Sequence, residues 1–108
     1  MNPSFLTGFT DGEGCFTIII LRNNKIKVGW EVQLFFQIII HTKDKALLEQ
    51  VQSHFAAGTI NKCETQSTRY RVSKIGDLAK IIAHFDKFSL ITKKRADYEL
   101  WKKHIIWS

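Results

Sequence analysis

Two alternating hairpins set among helical segments predict an α+β domain with the element order α-β-β-α-β-β-α-α. Three observations carry that expectation. Residues 15–23 and 30–41 alternate at period two and are separated by a short polar, basic turn. A shorter alternating pair, residues 59–63 and 69–73, follows Gly58. The segments around them, 43–55, 77–85 and 93–106, carry apolar residues at helical spacing.

The chain opens on a helix over residues 3–11. Asn2 can cap it, and Pro3 suits its first turn because the N–H that proline lacks would have no helical partner there. Phe5, Leu6 and Phe9 supply apolar contacts, and Gly12 and Gly14 interrupt the helix near Asp11. In the first strand Phe16, Ile18 and Ile20 point one way, and Cys15, Thr17, Ile19 and Leu21 the other. After the basic turn, Trp30, Val32, Leu34, Phe36, Ile38 and Ile40 share the face expected to pack on helices. Glu31, Gln33, Phe35, Gln37 and Ile39 share the opposite face. The next helix, 43–55, has Ala46, Leu47, Val51 and Phe55 inward, with Thr42 or Asp44 able to cap it. Gly58 ends it. In the second hairpin Ile60, Tyr70 and Val72 are expected in the core, leaving Thr59, Asn61, Cys63, Arg69, Arg71 and Ser73 outward. A helix over 77–85 buries Leu78, Ile81, Ile82 and Phe85. The last helix, 93–106, is dense in Lys93, Lys94, Arg95, Lys102 and Lys103.

With 108 residues, 44% apolar, one proline and no internal repeat or linker, residues 1–108 read as a single domain with a modest core. Sixteen Lys and Arg against ten Asp and Glu give a net charge of +6, which favours a polyanionic partner. Cys15 and Cys63 are too few for a disulfide framework and lack zinc spacing, so reduced thiols in an intracellular compartment are expected. No stretch is long and apolar enough for a membrane span, and no membrane partner is expected. His41, His54, His84 and His104 show no metal-ligand spacing. The apolar ending, Ile105-Ile106-Trp107, reads as a surface that a partner covers or that continues into further chain.

One local rule is broken. Asp11 and Glu13 sit at the helix end where the macrodipole disfavours acids, and no Lys or Arg lies near them in the sequence. An uncompensated conflict of this kind marks a candidate functional site. A carboxylate beside an unshielded glycine carbonyl offers hard oxygen ligands to a cation such as Mg²⁺. Two such ends brought together would make a far better site, since paired carboxylates repel unless cations lie between them, and paired metals suit in-line attack at phosphate. Gly8 and Gly12 share one helical face and Thr7 is small, so a second copy of the helix could approach closely.

Residues Leu6-Thr7-Gly8-Phe9-Thr10-Asp11-Gly12-Glu13-Gly14 resemble the LAGLIDADG motif of homing endonucleases, with Thr for the usual alanine and Glu for the final aspartate. The element order and the stretches 36–45 and 88–94 are also similar to one half of single-chain fungal organellar members. The resemblance implies a four-stranded antiparallel saddle lying in the major groove of double-stranded DNA, and a central interface of two motif helices. It implies Mg²⁺ as cofactor, with Mn²⁺ or Ca²⁺ as substitutes, and a mitochondrial or other organellar origin.

Residue by residue, Glu13 matches the metal-binding acid, helped by the Gly12 carbonyl, and Asp11 matches an acid that braces paired helix ends. Leu6, Thr7, Gly8, Asp11 and Gly12 are the expected interface. Gln37 matches a saddle position contacting DNA or active-site water. Lys94 falls near the family's lysine beside the scissile phosphate, with Thr92 in place of an aligned basic residue. The expected DNA face is Thr17, Ile19, Leu21, Asn23, Lys25, Glu31, Gln33, Phe35, Gln37, Ile39, Thr59, Asn61, Cys63, Arg69, Arg71 and Ser73.

A β-ribbon fits the major groove, where Gln33, Gln37 and Asn61 can reach adenine and Arg69 and Arg71 can reach guanine. Ile19, Leu21, Phe35 and Ile39 are unusually apolar for such a face. The expected function is a metal-dependent, site-specific double-strand DNA endonuclease, catalytic through Glu13, Gln37 and Lys94, working as a homodimer or with a second half. The alternatives are a non-cleaving nucleic-acid-binding module, including a maturase-like RNA splicing cofactor, and a protein-interaction domain using the apolar strand face.

Overall fold

The computed structural model describes residues 2–22, 24, 25, 27 and 29–107, with side chains described through Ile105. Helix α1 (Pro3–Glu13) leads into strands β1 (Gly14–Arg22) and β2 (Trp30–His41). A 3-10 turn (Thr42–Asp44) and helix α2 (Lys45–Phe55) follow, then β3 (Thr59–Glu64), β4 (Ser67–Val72), α3 (Ile75–Lys87) and α4 (Lys94–Trp107). The four strands form one antiparallel sheet in the order β1-β2-β4-β3.

Asn2 opens α1 as its composition dictates, its side-chain oxygen accepting from the N–H groups of Ser4 and Phe5 at 2.8 and 3.3 Å. The helix runs on through Gly12 and Glu13, and Gly14 caps it with an N–H to the Thr10 carbonyl. Gly14 is the tight point. A Cβ there would stand 2.5 Å from Thr10 Cγ2, so only glycine permits this abrupt entry into β1.

The helices lie on one face of the sheet, α4 over β1, α1 over β1 and β2, and α2 over β4. Phe16 is the hub beneath them, its ring 5.0 to 5.6 Å from those of Phe36, Phe85, Tyr98 and Trp101. Leu6, Ile38, Leu48, Tyr70 and Trp101 are fully buried in the same core. Such inter-ring packing adds to the stabilisation from area burial alone.

Three expectations are corrected by the packing. Helix α2 buries Leu48, Val51 and Phe55, while Ala46 is exposed and Leu47 only half-buried. Of the two expected caps, Thr42 is tied to the sheet through its N–H to Gln66 O at 2.7 Å and its hydroxyl to Thr68 at 3.0 Å, and Asp44 takes the N-cap position of α2 without a side-chain cap bond. The left-handed residue ending α2 is Ala56 (φ 53°), whereas Gly58 (φ 91°) turns the chain beneath Tyr70. On β1 and β2, Ile20, Trp30 and Val32 have the core parity yet are more than half exposed. The β1–β2 ribbon extends past Phe36, where its pairing with β4 ends at Val72. The helical layer does not cover that extension.

Candidate nucleic-acid and metal site

Strand register decides what the outer sheet face can present. Gln37 stands opposite Cys15 on one side and Arg71 on the other, and Arg71 in turn stands opposite Thr59. Ile39, Arg69 and Asn61 form the next row. On the ribbon, Thr17 pairs with Phe35, Ile19 with Gln33, and Leu21 with Glu31. The register therefore gathers the expected outward residues of all four strands onto one surface. Cys63 lies at a bulge between Lys62 and Glu64, and Ser73 follows the end of β4, both exposed. Lys25 is exposed in the ribbon turn, and Asn23 lies outside the described residues.

Phe35 is the exception on this face, being only 7% exposed. Arg71 covers it, with the guanidinium carbon 4.0 Å from the ring centroid, and the same guanidinium donates from Nε and Nη2 to Gln37 Oε1 at 3.3 and 2.9 Å. Gln37 thus has its carbonyl engaged within the protein. A bidentate adenine contact needs that oxygen and the amide N–H₂ together, so Gln37 does not present the fork expected of it.

At the other end of the site, the structure divides the motif residues between two faces of α1. Leu6 is fully buried in the chain's own core and Thr7 is 7% exposed. Both were expected at an interface; they face inward because Leu6 completes the core and Thr7 meets α3. Gly8 and Gly12 are exposed, and a Cβ at either would meet nothing within 4 Å. Asp11 accepts from the N–H groups of Ile91 and Thr92 at 3.2 to 3.3 Å and from the Thr92 hydroxyl at 2.7 Å. Its charge therefore lies beside the start of α4, where a helix macrodipole favours an anion. These partners were missed in the sequence. Thr92, placed before the basic helix, was the available signal for a cap.

Glu13 ends α1 exposed. It and Gly12 are hard oxygen donors, suited in kind to a divalent cation. Among the described residues no three His, Cys, Asp or Glu side chains are grouped to hold a metal. One helix end thus offers part of a coordination shell. Lys94 opens α4, its N–H bonded to the Thr92 hydroxyl at 3.3 Å, so the Asp11–Thr92 bond draws the end of α1 and the start of α4 to one corner.

Thr7 anchors the motif helix through a buried chain of polar groups. Its hydroxyl donates to the Phe88 carbonyl at 2.9 Å and contacts His84 Nε2 at 3.1 Å, while His84 Nδ1 lies 3.3 Å from His54 Nε2. With the Thr7 proton spent on Phe88, His84 donates from Nε2 to the Thr7 oxygen. Burial, together with the adjacent His54, pushes its pKa from 6.5 down to about 4, and burial lowers His54 as well.

Above the unfolded value His84 is uncharged in both states and lends no pH dependence. Between pH 6.5 and about 4 the unfolded chain takes up a proton that the folded chain refuses, so stability should fall as pH falls through that window. The shift limits the loss from His84 to about 3 kcal/mol. Urea melts at stepped pH should show a shallower decline in His84→Gln than in the wild type; equal slopes would refute the assignment.

Four findings place the chain among known proteins. The LAGLIDADG endonuclease family profile matches residues 6–105. The chain is 47% identical over 106 residues to the "Probable intron-encoded endonuclease 2" of Neurospora crassa, covering 95% of this chain and 24% of that protein. It superposes on the LAGLIDADG meganuclease I-CpaMI bound to uncleaved DNA with a TM-score of 0.92 at 41% identity, covering 97% of this chain and 36% of that one. I-SmaMI bound to uncleaved DNA in the presence of calcium ions gives a TM-score of 0.94 at 39% identity, again over 97% of this chain and 36% of that one. The chain thus spans about a quarter of the length of the first curated relatives it matches.

Proposed function

The chain belongs to the LAGLIDADG endonuclease family, and from that premise we propose that it is one half of a site-specific double-strand DNA endonuclease. A second copy of the chain, or a second half of related fold, would complete it across the open face of α1. The observation that carries this reading is the split of the motif: Leu6, Thr7 and Asp11 are engaged within the chain, whereas Gly8, Gly12 and Glu13 stand exposed on one helix. A glycine face with open space above it lets two helices approach closely and bring two copies of Glu13 together.

Glu13 and the Gly12 carbonyl would hold a divalent cation, Mg²⁺ or its substitutes Mn²⁺ and Ca²⁺. Bound there, the cation supplies Lewis-acid polarisation at phosphate and lowers the pKa of its water. The chain's own residues set the frame. Asp11 braces the end of α1 against residues 91–92, keeping Glu13 at a fixed corner. Lys94, at the same corner, carries the positive charge suited to an oxygen that gains charge as the phosphodiester bond breaks. Gln37 belongs to the DNA face instead, holding Arg71. The outer sheet face, with Gln33, Asn61, Arg69 and Arg71, lies along the major groove and reads it. One relative named as an intron-encoded endonuclease and another named as a mitochondrial protein support an origin in an organellar intron.

The test is a plasmid library carrying randomised target sites, incubated with the protein in Mg²⁺ and in EDTA, alongside the protein's mass in solution with and without bound DNA. A subset of sites should be linearised only with the metal, by a species holding two motif helices. Failure to enrich any site, in Mg²⁺ or Mn²⁺, would overturn the endonuclease reading.

A further inference from the structure

From the braced guanidinium on the outer sheet face, we infer that Arg71 is a preorganised guanine reader and that Gln37 and Phe35 are its positioning residues. This deepens the DNA-binding reading and rests on it. The geometry starts from register. Gln37 is the direct cross-strand partner of Arg71, and Phe35 is the diagonal neighbour two residues back along β2. Arginine has only donors, so the Gln37 atom that faces it is the carbonyl oxygen, and Nε and Nη2 converge on it. The Phe35 ring supports the guanidinium at 4.0 Å.

A guanidinium can donate a pair of parallel bonds from its side, through Nε and Nη2, or from its tip, through Nη1 and the second proton of Nη2. Gln37 occupies the side, which leaves the tip as the edge that can reach the O6 and N7 acceptors of guanine. Phe35 and Gln37 thus hold the plane and direction of the fork before DNA arrives, so less side-chain freedom is lost on binding. Phe35 is nearly excluded from solvent beneath Arg71, so this apolar residue on the saddle serves as a platform rather than as a base contact. Arg69, two residues earlier on the same strand, makes the contrast. Its Nε is buried without a partner among the described residues, so nothing there fixes its fork from the side.

The experiment is selection of duplexes from a randomised library by the protein in Ca²⁺, read as base preference at every position, for the wild type and for Arg71→Lys, Gln37→Leu and Phe35→Leu. The wild type should demand guanine at one position by about tenfold or more. Arg71→Lys should lower that preference to about threefold or less at that position alone, because lysine cannot form the fork. Gln37→Leu and Phe35→Leu should each weaken the same position partially, and neither should weaken it further once Arg71→Lys is present. Gln37→Leu alters a half-buried residue of the outer face, outside the helix-covered core, and tests the idea even if Phe35→Leu proves unstable. Two results would overturn it: Arg71→Lys weakening all sequences alike with a reduced salt slope, as a phosphate contact does, or Gln37→Leu erasing an adenine preference elsewhere in the site. A wild type that enriches no sequence overturns the DNA-reading premise, and the inference with it.

Discussion

Glu13→Gln should lower DNA cleavage by about a thousandfold or more while leaving affinity for the target within about threefold. The substitution keeps the shape of the side chain and removes only its charge. Glu13 is exposed at the end of α1, and no partner among the described residues holds its carboxylate, so the fold has little to lose. A metal ligand would lose most of its affinity for a hard cation, because a neutral amide is a far poorer donor than a carboxylate. Cleavage assays and equilibrium binding on the same target separate the outcomes. Cleavage at the wild-type rate would remove Glu13 from the chemistry, and loss of binding together with cleavage would make it a structural residue.

Gly58→Ala should cost about 3 kcal/mol or more of folding stability. Two penalties combine there. The backbone sits at φ 91°, outside the range an L-residue adopts without strain, and a Cβ would lie 2.6 Å from Tyr70 Cε1 and 2.8 Å from Val72 Cγ2. The tyrosine cannot step aside, because its ring is fully buried and its hydroxyl donates to the Ala57 carbonyl at 2.6 Å. Gly76→Ala is the control, since nothing lies within 4 Å of the atom it adds and it sits in helix α3; it should change stability by less than about 1 kcal/mol. Denaturant melts of the two variants decide the matter. Near-equal midpoints would show that the turn after α2 yields more readily than its geometry implies.

The strands and the parity of their side chains were legible because a period of two depends only on neighbours along the chain. The alternation in β2 puts Phe36 and Ile38 in the core and Gln33 and Gln37 outside, as read from spacing alone. Helical faces were read less well where a tertiary bond overrode the local signal. Thr42 has a capping residue's chemistry, but its bonds to Gln66 and Thr68 hold it on the sheet, and α2 buries Val51 and Phe55 as expected but Leu48 in place of Ala46. His84 was legible only as a histidine without ligand spacing. Its burial between Thr7 and His54 joins residues 77 and 30 positions apart, a juxtaposition that no local pattern encodes.

The amino-acid order by itself determined the elements, the alternating faces, the basic charge and the motif at the first helix end, because all of these are set by neighbours along the chain. Which of the two acids at that end has its charge met within the chain was decided only by folding. Asp11 and Glu13 break the same local rule, yet the start of α4 comes to Asp11 and compensates its charge, while Glu13 is left exposed at the tip. The same holds for Phe35, an apolar residue with outward parity that lies buried because β4 pairs beside β2 and lays Arg71 across it. Contacts between residues far apart in sequence depend on the whole packing, and no periodicity reports them.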